Sequence, residues 1–234
     1  KKTQNLQDVG ISVTSFSGAQ IEALNWDNST DIGSQTPSLH VTSNAGDAAN
    51  VSLFSIRGVS QTDFAEGQEA PVALYRDEVY IASPGTSGVP IYDLERVEVL
   101  RGPQGTLYGR NATGGLVHFI SKRPTDEFEG DITFKLEEYG TLGMQGAISG
   151  PLSDNTQGRL AVYYNKSDGY LQNSFGPNGR ADDTISLRGQ LNFDINDSTS
   201  LLLLGQHTDI DTTGTAFHTR ATKVNANGDS VYCK

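Results

Sequence analysis

The 234-residue sequence is long enough to bury a core, and 17 Lys+Arg against 28 Asp+Glu give a formal net charge of -11. That balance excludes attraction to a nucleic-acid backbone through bulk electrostatics. Hydrophobic residues make up 35% and Gly counts 26, and no run approaches the roughly 20 apolar residues of a membrane helix. A membrane barrel stays open, because its strands alternate lipid-facing apolar with lumen-facing polar residues. The single cysteine, Cys233, excludes an intrachain disulfide framework or a thiolate zinc cluster. No basic segment followed by an apolar one opens the sequence, so an export signal is expected to have been removed or to lie upstream of Lys1.

In chain order, VGISVTSF (9–16) alternates apolar and polar residues and reads as a strand. Ser17 then caps a short helix, GAQIEALN, with Gln20 three residues on as capping-box partner. A second short helix is predicted over 28–35, ended by Thr36-Pro37. LHVTSNA and VSLFSIRGV are strand-like and separated by the turn-rich AGDAAN; PVALYRDEVYI and LERVEVLRG follow, with the polar or Gly/Pro-rich connections SQTDFAEGQEA and ASPGTSGVPIY beside them. Asp77 and Glu78 fall at a hairpin turn. This pattern is a small α+β domain whose long loops suggest a binding surface.

Beyond Pro124 the texture changes. Ile132, Phe134 and Leu136 alternate with Thr133, Lys135 and Glu137, and Ile185, Leu187, Leu191, Phe193 and Ile195 share a face opposite Ser186, Arg188, Gln190, Asn192 and Asp194. Such strands meet two different solvents, as in a membrane barrel or in a soluble sandwich with its polar face in water. GPLSDNTQG (150–158) and NDST (196–199) are compact turns, whereas 168–183 is long and polar. Short turns at one end and longer loops at the other match an outer-membrane barrel. Tyr139, Tyr163, Tyr164, Tyr170 and Tyr232 near strand ends suggest an aromatic girdle. About five such strands can be counted, too few to enclose a separate domain, which takes about 22. The sequence therefore reads as part of a longer chain.

LERVEVLRGPQGTLYGRNATGGLVHFISKRP (94–124) carries glycines at 102, 105, 109, 114 and 115, which allow left-handed backbone and close chain approach. A phosphate loop is disfavoured, because no Gly-Lys-Ser/Thr ending and no helical pattern follow. This segment resembles the plug signature of TonB-dependent outer-membrane receptors nearly residue for residue. FSIRGV (54–59), VALYRDEVYI (72–81) and QNLQDVGISVTSFSGAQIE (4–22) resemble further plug segments in the family's order. Glu78 stands where the family usually has glycine.

The resemblance implies an α+β plug domain, residues 1–124, seated in a transmembrane antiparallel β-barrel whose first strands occupy 125–234, starting near Phe128. It implies energised uptake of a scarce nutrient across the bacterial outer membrane, first of all an iron-siderophore complex, with carbohydrate, cobalamin and other chelates as further cargoes. A non-transporting plug-barrel component of a larger surface complex is a different class of reading. The implied partners are the TonB-ExbB-ExbD complex, acting through an N-terminal box upstream of Lys1, a small ligand at the extracellular side, and outer-membrane lipid. RGPQGTLYG differs from the variant in glycan importers that pair with a lidding lipoprotein, so an accessory surface lipoprotein is a secondary expectation.

By resemblance, Arg57 and Arg101, each before a glycine (Gly58, Gly102), would lock the plug to glutamates of the barrel wall located after residue 234. Gly58, Gly102, Gly105, Gly109, Gly114 and Gly115 are the tight-turn glycines. Gln61, Asp63, Phe64, Glu66, Tyr80 and Tyr92 are candidates for substrate-facing plug loops. Glu95, Arg96 and Glu98 read as a solvated strand face. His40, His118, His207 and His218 lack ligand spacing, and no Ser/His/Asp order appears; no catalytic site, cofactor or metal is expected.

Overall fold

The computed structural model describes residues 10–43, 51–60, 69–82, 88, 90–173, 176–196, 198–214, 222–224 and 230–232. The N-terminal unit is built on a sheet of order β1-β6-β7-β4-β5, formed by β1 (Ser12–Ser17), β4 (Val72–Arg76), β5 (Val79–Tyr80), β6 (Leu94–Arg101) and β7 (Gly115–Ser121). β4 and β7 run parallel; the other pairs are antiparallel. Helices α1 (Gly18–Ala23) and α2 (Asp31–Gln35) and the hairpin of β2 (Leu39–Ser43) and β3 (Ser52–Ile56) contribute to its larger core. Ile32, Ile56, Val72, Val97, Val99 and Val117 have essentially no exposure; each such side chain contributes about 1.5–3 kcal/mol by leaving water.

The capping box forms as the sequence predicts: the Gln20 N–H donates to the Ser17 hydroxyl at 3.3 Å, and the Ser17 N–H donates to Gln20 Oε1 at 2.9 Å. The helix expected over 28–35 is shorter, because Asp31 turns its carboxylate back to accept the N–H of Asn28 at 3.1 Å and of Asp27 at 3.0 Å, so the regular turn begins only at Asp31. The β4–β5 turn survives without glycine. Asp77 and Glu78 both take left-handed φ, 47° and 71°, and Asp77 also accepts from the Ser121 N–H at 2.8 Å and hydroxyl at 2.6 Å.

In the glycine-rich stretch, Gly102, Gly109 and Gly115 have positive φ, as does Gly58, and Gly114 lies against Val59. Gly115 is the most constrained: at φ 144°, a Cβ there would sit 2.3 Å from the Leu100 carbonyl oxygen. Gly105 departs from expectation. It opens a single helical turn, α3 (Gly105–Tyr108), too short to show a period in sequence, and a Cβ there would meet nothing within 4 Å.

The C-terminal part is an antiparallel meander, β8 (Glu129–Glu137), β9 (Thr141–Ser153), β10 (Thr156–Ser167), β11 (Asp182–Asn196) and β12 (Thr199–Thr212), each strand paired with the next. A separate hairpin joins β13 (Thr222–Val224) and β14 (Ser230–Tyr232). Two residues each separate β9 from β10 and β11 from β12 in sequence, and the longer 168–181 connection lies at the opposite end. The β8–β9 turn at that opposite end is also tight, because Tyr139 and Gly140 both take left-handed φ, so the loop-length asymmetry holds only in part.

The polarity of this sheet settles what periodicity leaves open. The polar face packs on the N-terminal unit: Ser186 is 0%, Arg188 1% and Gln190 4% exposed. The apolar face is uncovered, with Phe134 63% and Leu136 82% exposed. A soluble sandwich buries its apolar face; a wall that buries arginine and exposes leucine fits hydrocarbon as its outer solvent. Tyr163 points inward against Tyr92, whereas Tyr139 and Tyr170 meet at 6.1 Å at the loop end, so only part of the supposed girdle faces outward.

Gly115→Ala is expected to cost more than about 2 kcal/mol by forcing β6 and β7 apart, while Gly105→Ala stays within about 0.5 kcal/mol. Hydrogen-exchange protection of β6 in the full-length protein checks both.

Candidate functional site

The strand register sorts the inward side chains into rungs. One rung holds Glu129, Ser149, Arg159 and Gln190; the next holds Asp131, Ala147, Ala161, Arg188 and Gln206. Arg159 and Arg188 thus sit on neighbouring rungs of adjacent strands. Both reach the same acid, Asp93, at the entry to β6.

Arg159 grips Asp93 with two donors, Nε to Oδ2 at 3.0 Å and Nη2 to Oδ1. Its third, Nη1, donates to Glu129 Oε1 at 2.7 Å. Arg188 Nη2 donates to Asp93 Oδ2 at 3.1 Å and to the Asp93 and Tyr92 carbonyls at 2.8 and 3.2 Å. The side chains of Arg188, Arg159 and Asp93 are 0%, 2% and 5% exposed. Asp93 has φ 49°, a strained conformation for a non-glycine residue, and Arg188 donates to both its carbonyl and its carboxylate. Charge-assisted bonds of this kind are the strong class.

Around this centre, the Arg188 guanidinium lies 4.6 Å above the Tyr92 ring. The Tyr92 hydroxyl bonds Ser186 Oγ at 2.9 Å. Gln190 donates to the Lys122 carbonyl at 2.8 Å, and Gln157 donates to Asp126 Oδ1 at 2.8 Å. Arg76, stacked 5.7 Å over Phe119, donates to the Pro90 carbonyl at 3.2 Å. Its burial, helped by the nearby Arg188 charge, lowers its pKa to about 10, so it remains a cation at neutral pH. The site is a buried electrostatic joint between the two parts of the chain. No cluster of three or more ligating side chains able to hold a metal occurs among the described residues.

The anticipated residues fall elsewhere. Arg57 is exposed and lies in the turn after β3 rather than inside a strand. Its Nη1 is 3.7 Å from where a Cβ of Gly102 would be. Arg101 closes β6, donates to the Pro37 carbonyl at 3.1 Å, and keeps Nε buried without a hydrogen-bond partner among the described residues. The turn therefore brings the two arginines to one corner, with no ion pair to β8–β12 among the described residues. Tyr80 accepts a bond from Asn111 Nδ2 at 2.9 Å and is half-buried. Tyr92, expected on a substrate-facing loop, is 2% exposed because the wall covers it. Gln61, Asp63, Phe64 and Glu66 lie outside the described residues.

Sequence reasoning missed Asp93, Arg159 and Arg188 as a unit. The available signal was an arginine in the polar register of two consecutive strands, where a lumen filled only with water would not demand one.

Residues 5–116 match the TonB-dependent Receptor Plug Domain family. The vitamin B12 transporter BtuB of Vibrio vulnificus is 29% identical over 203 residues, 83% of this chain and 31% of that protein. The ferripyoverdine receptor of Pseudomonas aeruginosa, solved with ferripyoverdine bound, superposes with a TM-score of 0.77 at 21% identity over 99% of this chain and 29% of its own. The ferric yersiniabactin uptake receptor FyuA of Yersinia pestis gives 0.76 at 23% identity over 85% and 31%. The chain thus spans about a third of the length of these proteins.

Asp93→Asn is expected to weaken the joint by about 3–5 kcal/mol, since it leaves the buried Arg188 guanidinium without a countercharge and Arg159 with Glu129 alone. Adding Arg188→Leu should recover part of that loss. Exchange protection at Leu94–Arg101 in the full-length protein reports both; unchanged protection in Asp93→Asn contradicts the assignment.

Proposed function

We propose, for a chain that belongs to the TonB-dependent outer-membrane receptor family, that it gates the active uptake of a scarce nutrient across the bacterial outer membrane. In this reading residues 1–124 are the plug and 125–234 the first strands of the barrel. The observation that carries it is the buried joint at Asp93: a separately folded unit is fastened to the polar side of a wall whose other side is apolar. An open pore cannot concentrate a solute, and a ligand shifts an equilibrium only by its differential affinity for the two states. Uphill transport therefore needs an external source of work, which in this family is the TonB-ExbB-ExbD complex acting on a segment before Lys1.

Edge groups support further strands. β8 and β12 each have an unpaired edge among the described residues, and lipid does not tolerate exposed edges, so additional strands close the wall. Those strands carry the carboxylates that would meet Arg57 and Arg101.

For the cargo we favour a ferric siderophore, as the Pseudomonas and Yersinia proteins bind or take up such complexes. Cobalamin is second, from the Vibrio relative.

The test is uptake of labelled ferric siderophores and of cobalamin by cells carrying or lacking the gene. Uptake should vanish on deleting either the gene or the energy transducer, and uptake that survives loss of the transducer refutes the mechanism. In the same cells, Arg57→Ala with Arg101→Ala should raise resting permeability to a small antibiotic; unchanged permeability removes their locking role.

A further inference from the structure

Three polar clefts, of about 350, 320 and 270 Å³, lie between the α1–Asn28 edge of the plug and the inner face of the wall. They form one crevice. Asp27 lines all three; Thr133, Lys135 and Gln145 line the second and third, and Tyr163 and Asp182 line the first and third. At their junction Lys135 Nζ donates to Asp27 Oδ1 at 2.6 Å, so a solvated ion pair spans the crevice from wall to plug, while Asp93, held by its buried partners, bounds the second cleft.

This pair differs in kind from the joint at Asp93. Its side chains are 23% and 43% exposed, against 0–5% for Arg188, Arg159 and Asp93. A solvated pair holds its partners closed by a factor of about five at most, whereas separating the buried cluster strands charges out of water. The plug edge at Asp27 can therefore move while Asp93 stays held. The lining also has a sign. Glu22, Asp27, Asp93, Asp131, Glu137 and Asp182 outnumber the cations Lys122, Lys135 and Arg180 along it, and a narrow passage with an excess of acids concentrates cations.

Building on the transport reading, we propose that the Asp27–Lys135 bridge is a gate across this hydrophilic crevice and that its opening lets small hydrated cations pass between plug and wall, with Asp93 as the fixed pivot. Opening at this edge precedes release of the joint, and separation of plug from wall begins where the ion pair is weakest.

The experiment uses the full-length protein in planar lipid bilayers under a potassium chloride gradient. Asp27→Asn and Lys135→Met should each raise the open fraction up to about fivefold, with a reversal potential displaced toward potassium. Lys135→Arg should behave as the unaltered protein, which separates gating from misfolding. Asp27→Lys with Lys135→Asp, which restores the pair with its charges exchanged, should return the open fraction toward that of the unaltered protein. The proposal is overturned if both single variants conduct as the unaltered protein, if the charge-exchanged pair leaks as much as the single variants, or if the leak favours chloride. These readings need no energy transducer, so loss of energised uptake would refute the transport reading without altering them.

Discussion

Two guanidinium groups with essentially no solvent contact cannot stand on the inner face of a sheet unless a carboxylate meets them, and the rest of this architecture follows from how Asp93 does so. Arg159 and Arg188 come from consecutive strands of the wall, and Asp93 from the lead-in to β6, an inner strand of the plug sheet. The cost of burying charge is large unless geometry is close to ideal. Here the two-donor grip of Arg159 supplies that geometry, while Arg188 is met less completely: Nη2 shares its two hydrogens among three acceptors and the guanidinium lies over the Tyr92 ring, but Nε and Nη1 have no hydrogen-bond partner among the described residues. A plug that drifted by even a few ångströms would lose all of these contacts together, so the joint specifies position as well as adhesion.

The same constraint explains the inverted wall. Polar side chains on β10 and β11 are enclosed because they meet polar groups of the plug, whether carboxylate, carbonyl or hydroxyl, and the apolar side chains between them are left to face hydrocarbon. Among the described residues, the apolar core cluster that crosses the seam is small: Tyr92, Ala147, Ala161 and Tyr163. A seam held mainly by hydrogen bonds and ion pairs can be separated and remade in the presence of water, whereas a continuous hydrophobic seam would resist both. That suits a unit that must fill a lumen at rest and yield under load.

Much of the plug is written in local signals. The Ser17–Gln20 capping box, the alternating LERVEVLRG strand and the left-handed turns at Gly58, Gly102, Gly109 and Gly115 are short-range features that form as read, whereas Gly105 and Gly114 do not take left-handed φ. The alternation of β11 likewise identifies its two faces, but not which one meets lipid, because periodicity carries no sign. Gly105 was misjudged for a related reason: in a glycine-rich run, only the packed structure separates a position where a Cβ would strike a carbonyl from one facing open space. The Asp93 joint was the least legible feature, since its partners lie 66 and 95 residues away, and local patterns do not report contacts at that range. Glu78 shows the converse, a turn kept despite an unfavourable residue, with its neighbour Asp77 tied to Ser121.

The central claim is that the odd-numbered residues of β11 face lipid while the even-numbered ones face the plug. Spin labels placed singly at Ile185, Ser186, Leu187 and Gln190, in full-length protein with Cys233→Ser reconstituted in bilayers, test it through relaxation by oxygen and by a water-soluble nickel chelate. Labels at 185 and 187 should respond to oxygen and hardly to nickel, and labels at 186 and 190 only weakly to either. Strong nickel accessibility at 185 and 187 would place that face in water and contradict the account.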